Sequence, residues 1–94
     1  MMTYYDIQHE TLTSFTKRSC AINRRNHLVE IANNLWARID QLDKPDASDM
    51  VQAQLDLLYD RHERYQHQID DLDDEIDALD HKIELLEKLS VFYR

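Results

Sequence analysis

Carboxylates and imidazoles are the residue types most able to do chemistry in this 94-residue chain, and they crowd its second half. The eleven residues from Asp70 to Asp80 hold seven acids: Asp70, Asp71, Asp73, Asp74, Glu75, Asp77 and Asp80. Such a run can gather a divalent cation, or it can present a line of negative charge to a basic protein surface. Glu63 with His67, and Asp77 with His81, stand four residues apart, which puts each pair on one helical face. Two ligands do not close a metal site, and pairs of this kind are ordinarily surface ion pairs. His62 and His67 fall on different faces and do not converge. The lone Cys20 can form neither an internal disulfide nor a thiolate zinc site. With no Gly in the chain there is no Walker loop, dinucleotide-binding turn or EF-hand bend. No metal and no cofactor are expected.

The elements that must carry these residues follow from apolar spacing. From residue 55 onward a heptad seam runs through Leu55, His62, Ile69, Ile76, Ile83 and Ser90 at one set of positions. Leu58, Tyr65, Leu72, Leu79, Leu86 and Tyr93 occupy the other. Ten of these twelve positions are apolar or aromatic, the pattern of a coiled coil or a long bundle helix. All seven acids of the dense run fall outside the seam, which is the arrangement of a solvated face. His62, polar at a seam position, suits a role in register or partner choice.

Upstream, Leu28, Leu35 and Leu42 recur every seven residues, and Ile31, Ala32, Trp36 and Ile39 widen that stripe. Pro45 disfavours helix at Lys44 and suits the first turn of a new one, while Asp46 or Ser48 can cap it. The expected architecture is all-α: an antiparallel helical hairpin with a long C-terminal heptad helix, assembled as a coiled-coil dimer or four-helix bundle. One hairpin domain is expected over residues 14–94, with a helix over about 14–43, a turn at 44–47 and a helix over about 48–92. Residues 1–13 are expected to form an extension or a separate short helix. Thr11, Thr13, Ser14 and Thr16 are mediocre helix formers and good caps.

Charge supplies a register test. Residues 1–44 carry six Lys/Arg against five acids, and residues 45–94 carry five against fourteen, so the first half is at +1 and the second at −9 of the net −8. A short connection makes the helices antiparallel neighbours. A register taken from loop length, with facing residue numbers summing to about 91, sets Lys17 and Arg18 opposite Asp74 and Asp73. It brings Arg24 and Arg25 within about a helical turn of Asp70 and Asp71. Lys17, Arg18, Arg24 and Arg25 are therefore expected to pair within the chain. They are too few for a DNA-binding basic region, and phosphate would repel a chain of this charge, so direct nucleic-acid binding is not expected.

The second helix carries more apolar surface than the first, as drawn, can cover. Leu85, Leu89 and Phe92 form a second stripe beside Ile83, Leu86 and Tyr93. Two seams on one helix need two partners, either the N-terminal segment with a second protomer or a different protein. No Lys/Arg-led apolar segment opens the chain and no apolar run approaches membrane-spanning length, so a cytoplasmic protein without membrane contact is expected. A thin helical bundle offers few concave pockets, which argues against an enzyme.

The leading expectation is thus a non-enzymatic adaptor, assembly factor or regulator that docks helices onto a protein partner and forms a homodimer. Its contact residues would be Leu85, Leu89, Val91, Phe92 and Tyr93, with Tyr4 and Tyr5 as aromatic anchors. The alternative is an inhibitor of phage or mobile-element type. In that reading Asp70, Asp71, Asp73, Asp74, Glu75, Asp77 and Asp80 imitate a phosphate backbone and block a nucleic-acid-binding protein.

Overall fold

A computed structural model describes residues 1–46 and 48–93 of the chain. Two helices account for nearly all of it: α1, Tyr4–Leu42, and α2, Asp49–Val91. The described residues contain no strand, no cis peptide bond and no residue with positive φ. None of the described residues of the connection uses the left-handed region.

Both helix starts are capped by side chains. Thr3 and Asp6 close a reciprocal box: the Thr3 N–H donates to the Asp6 carboxylate at 2.9 Å, and the Asp6 N–H donates to Thr3 Oγ1 at 3.1 Å. The first backbone bond of α1, Ile7 N–H to Thr3 carbonyl at 3.1 Å, follows directly. At α2 the choice between Asp46 and Ser48 falls to Ser48, whose Oγ accepts from the Val51 N–H at 3.3 Å. The expected turn over 44–47 is outside both helices at residues 44–46, with Pro45 and Asp46 in a turn, while Ala47 lies outside the described residues.

The helix expected from residue 14 begins ten residues earlier, at Tyr4, so the N-terminal segment is continuous with α1. Two of the threonines that argued against this satisfy their hydroxyls on the preceding turn. Thr11 Oγ1 donates to the Ile7 carbonyl at 2.7 Å and Thr16 Oγ1 to that of Leu12 at 3.0 Å. The covered face of α1 keeps a strict seven-residue phase through Ile7, Ser14, Ala21, Leu28, Leu35 and Leu42. Thr11, Arg18, Arg25, Ala32 and Ile39 interleave with it, each buried or half-buried. On α2, eleven of the twelve expected seam positions are buried or half-buried, and only Tyr93 is exposed.

The chain divides into two compact units, each built from one stretch of either helix running antiparallel. The first joins Met1–Arg24 to the C-terminal part of α2 from Leu72 onward. Its buried residues are Ile7, Ser14 and Ala21 on α1, with Leu72, Ile83 and Leu86 on α2. The second, Arg25–Asp71, is centred on Leu35, Ile39, Leu55 and Leu58, flanked by Ile31, Leu42, Val51 and Tyr65.

The register from loop length needs correction. Leu42, set opposite residue 49 by that estimate, shares a recess with Gln54, Leu57, Leu58 and Arg61. Its physical reason lies in α2, whose first turn at Asp49 and Met50 is exposed and whose first fully buried residue is Leu55. Buried pairs, and not the loop, fix which residues face each other.

Candidate functional site

The first unit holds every apolar residue singled out for docking. Beyond Ile7, its α1 seam is built from small and polar side chains such as Ser14 and Ala21, and Ile83 and Leu86 of α2 are 6% and 5% exposed. Ser14, only 1% exposed, takes a place a leucine would hold in a regular heptad. The helices are tied along this stretch by Lys82 Nζ to Glu10 Oε2 at 3.0 Å and by an ion pair between Arg18 and Asp80. At the end of the unit the Tyr93 hydroxyl donates to the Met2 carbonyl at 2.9 Å.

One α1 stretch therefore covers only one of the two apolar stripes of α2. Leu85, Leu89, Val91 and Phe92 remain exposed, as do Tyr4, Tyr5 and Tyr93. Leu85 and Leu89 lie four apart on one face of α2 outside the seam, and Phe92 follows in the turn just past the helix end, where its N–H bonds the Leu89 carbonyl at 3.1 Å; together they make an apolar ridge. Tyr4 belongs elsewhere in the unit. With Ile7, Gln8, Thr11, Leu12, Phe15, Glu87 and Ser90 it lines an open groove of about 440 Å³. Leu12 and Phe15, 68% and 44% exposed, are the strongest contributors that the spacing argument left out of the site. Their signal is present in the sequence, because Tyr4, Gln8, Leu12 and Phe15 step by four, four and three along one helix face. The first unit thus offers two apolar surfaces, a ridge on α2 and a groove between the helices.

The acids behave differently. Asp70 and Asp71 belong to the second unit, and Asp73, Asp74, Glu75, Asp77 and Asp80 to the first. Asp73 is half-buried and the other six are exposed. Asp70 accepts from Gln66 Nε2 at 3.2 Å. Asp80 takes Arg18, which pairs seven residues beyond the Asp73 at which the loop register aimed it. Glu75 shares a recess with Lys17, Cys20 and Arg24, so three members of the basic cluster and two of the acidic one meet within one unit. Arg25 is half-buried. The Glu10 carboxyl is held below its ordinary range, first by its hydrogen bond with Lys82 and then by that residue's charge. Asp6 is lowered as well, chiefly by the Thr3 backbone N–H and then by the Thr3 side chain.

The imidazoles spread out. His67 sits 3.7 Å from Glu63 on the surface, with both side chains more than 70% exposed. His62 is half-buried and rests on Trp36, with ring centroids 5.2 Å apart and planes tilted by 48°. Among the described residues no three His, Cys, Asp or Glu side chains gather as metal ligands, and no helix is long and apolar enough to cross a membrane. No protein-family model, curated protein or solved structure matches this chain.

Proposed function

We propose that this chain is a non-enzymatic interaction protein, an adaptor, assembly factor or regulator, that works by docking helices of a protein partner on the apolar surfaces of its first unit. One observation carries the reading. Leu85, Leu89, Val91 and Phe92 stay 42–83% exposed although the seam beside them is closed by α1. Exposed large side chains scattered singly are ordinary, but a ridge of them at helical spacing, near a groove lined by Tyr4, Leu12 and Phe15, is a partner surface. Aromatic residues dominate the energetics of such surfaces, which makes Phe92, Phe15 and Tyr4 its anchors. Pairing of this ridge with that of a second copy, as a dimer of hairpins in a four-helix arrangement, is the assembly the spacing favours.

Mimicry of nucleic acid by the acidic run has less support. Asp80 and Glu75 are engaged by, or grouped with, the chain's own cations, so part of the negative line is neutralised from within. The two readings respond oppositely to the same substitutions. Capture from lysate of the source cell by the tagged protein should survive high salt and the set D70N, D71N, D73N and D74N. It should be lost with Leu85→Gln plus Leu89→Gln. Loss with the Asn set and survival with the Gln pair would reverse the assignment, since exposed charge pairing is screened at high salt.

A further inference from the structure

The second unit carries a surface that the apolar docking reading does not use. Trp36, Asp40 and Asp43 are spaced by four and three residues, which places them along one edge of α1. The Asp43 N–H still bonds the Ile39 carbonyl at 2.8 Å, so this helical spacing holds to the end of the edge. Facing them from α2 are Tyr59 and His62. The Trp36 and Tyr59 rings meet edge to face, with centroids 6.1 Å apart and planes at 76°, and the His62 ring also packs on Trp36 at 5.2 Å. Trp36 is 47% exposed and Tyr59 41%, so both rings present surface to solvent. The Tyr59 hydroxyl reaches Asp43 Oδ2 at 3.5 Å.

Asp43 and Asp40 both bring negative charge to Tyr59. Partial desolvation first, then the charge of Asp43, its hydrogen bond and the charge of Asp40 raise the Tyr59 phenol above its ordinary value. Lys44 follows Asp43 in the chain, while Arg38 and Arg61 line the recess with Leu42, Gln54 and Leu57. Two aromatic rings at a steep angle, with two carboxylates at their edge, complement a cation in both of the ways that cations are held. The ring face attracts positive charge, and the carboxylates accept its hydrogen bonds. A planar guanidinium uses both at once, stacking on an indole while its fork of N–H groups engages a carboxylate. A compact ammonium does so less well.

We propose that the Trp36, Tyr59, Asp40 and Asp43 edge is a docking site for an arginine-bearing segment of a basic protein partner. The site is separate from the apolar surfaces of the first unit and stands whether or not those bind helices. Trp36 is the only tryptophan in the chain, so its emission reports this site alone. The test is a titration of the full chain, at low salt, with a tetra-arginine peptide and with its tetra-lysine counterpart.

Saturable change in Trp36 emission is expected, with the arginine peptide the tighter binder. The double variant D40N/D43N should weaken it about tenfold, as loss of charge-assisted bonds implies. Tyr59→Leu, an exposed change that leaves both carboxylates, should weaken it several-fold through loss of a ring. The set D70N, D71N, D73N and D74N serves as the control for general attraction to an acidic chain, and should leave the affinity within about twofold. Four results would overturn the proposal: an unchanged Trp36 emission, undiminished affinity in D40N/D43N, loss in the control set, or equal affinity for the lysine peptide. An emission change that tracks protein concentration without peptide would assign the edge to a second copy instead, and overturn it as well.

Discussion

Leu85 and Leu86 are neighbours in sequence and opposites in environment, and replacing each by Ala separates the covered stripe from the open one. Leu86 is 5% exposed inside the first unit. Removing it forfeits the burial of a leucine and leaves a cavity, a loss of about 3 kcal/mol. Leu85 is 47% exposed. Roughly half of its transfer energy is realised in the single chain and no closed cavity forms, so the loss is about 1 kcal/mol. Each kcal/mol moves the midpoint of a domain this size by roughly 4–8 °C, so the melting temperatures should differ by about 10 °C. Helical circular dichroism during heating and urea unfolding, at dilute protein, gives both numbers. At higher concentration the Leu85→Ala loss should grow if the ridge pairs with a second copy, because pairing would bury what the variant removes. Equal losses at dilute protein would refute the reasoning, since Leu85 would then be packed within its own chain.

Other outcomes follow from the first unit. Glu10 and Asp6 have folded pKa values below their ordinary 4.5 and 3.8, so their contributions to stability are present above those pH values. They vanish as pH falls through the lower folded values, and Lys82→Met should flatten the Glu10 part of that acid limb in a melting series, while Thr3→Ala, which keeps the backbone N–H, should remove only the lesser, side-chain share of the Asp6 part. Amide hydrogen exchange at Asp6 should also quicken in Thr3→Ala, because its N–H loses the Thr3 Oγ1 acceptor while the Thr3 N–H bond to the Asp6 carboxylate stays available. Ser14→Leu, which reads as an improved heptad, should instead destabilise by about 1–3 kcal/mol in urea unfolding, because the seam is closed around a small side chain.

The C-terminal helix was legible because its seam is made mostly of leucine, isoleucine and tyrosine at steps of three and four, and all of those positions but Tyr93 are covered. The first half of α1 obeys the same seven-residue phase with Ile7, Ser14 and Ala21 and interleaved Thr11 and Arg18. Apolar counting passes over a seam of that composition, since small and polar residues give no hydrophobic period. Thr3 and Asp6, three apart, held the missing start signal, with Asp in the place more often taken by Glu. The exposed ridge at Leu85, Leu89 and Phe92 could be read from spacing alone. Of the groove at Leu12 and Phe15 only the α1 face is written in the spacing, and its closure depends on α1 starting at Tyr4 and bringing those residues beside Glu87 and Ser90. The contact of His62 with Trp36 depends on a register that loop length misjudged.

The central claim is that the apolar ridge of the first unit meets a protein partner, and site-specific photo-crosslinking tests it most directly. A photoreactive phenylalanine analogue at Leu89, on the ridge, is compared with the same analogue at Glu63, an exposed position outside the seam. One discrete product at high salt is expected from position 89, either a partner protein or the chain's own dimer, and none from position 63. A product from position 63 with none from position 89 would contradict it.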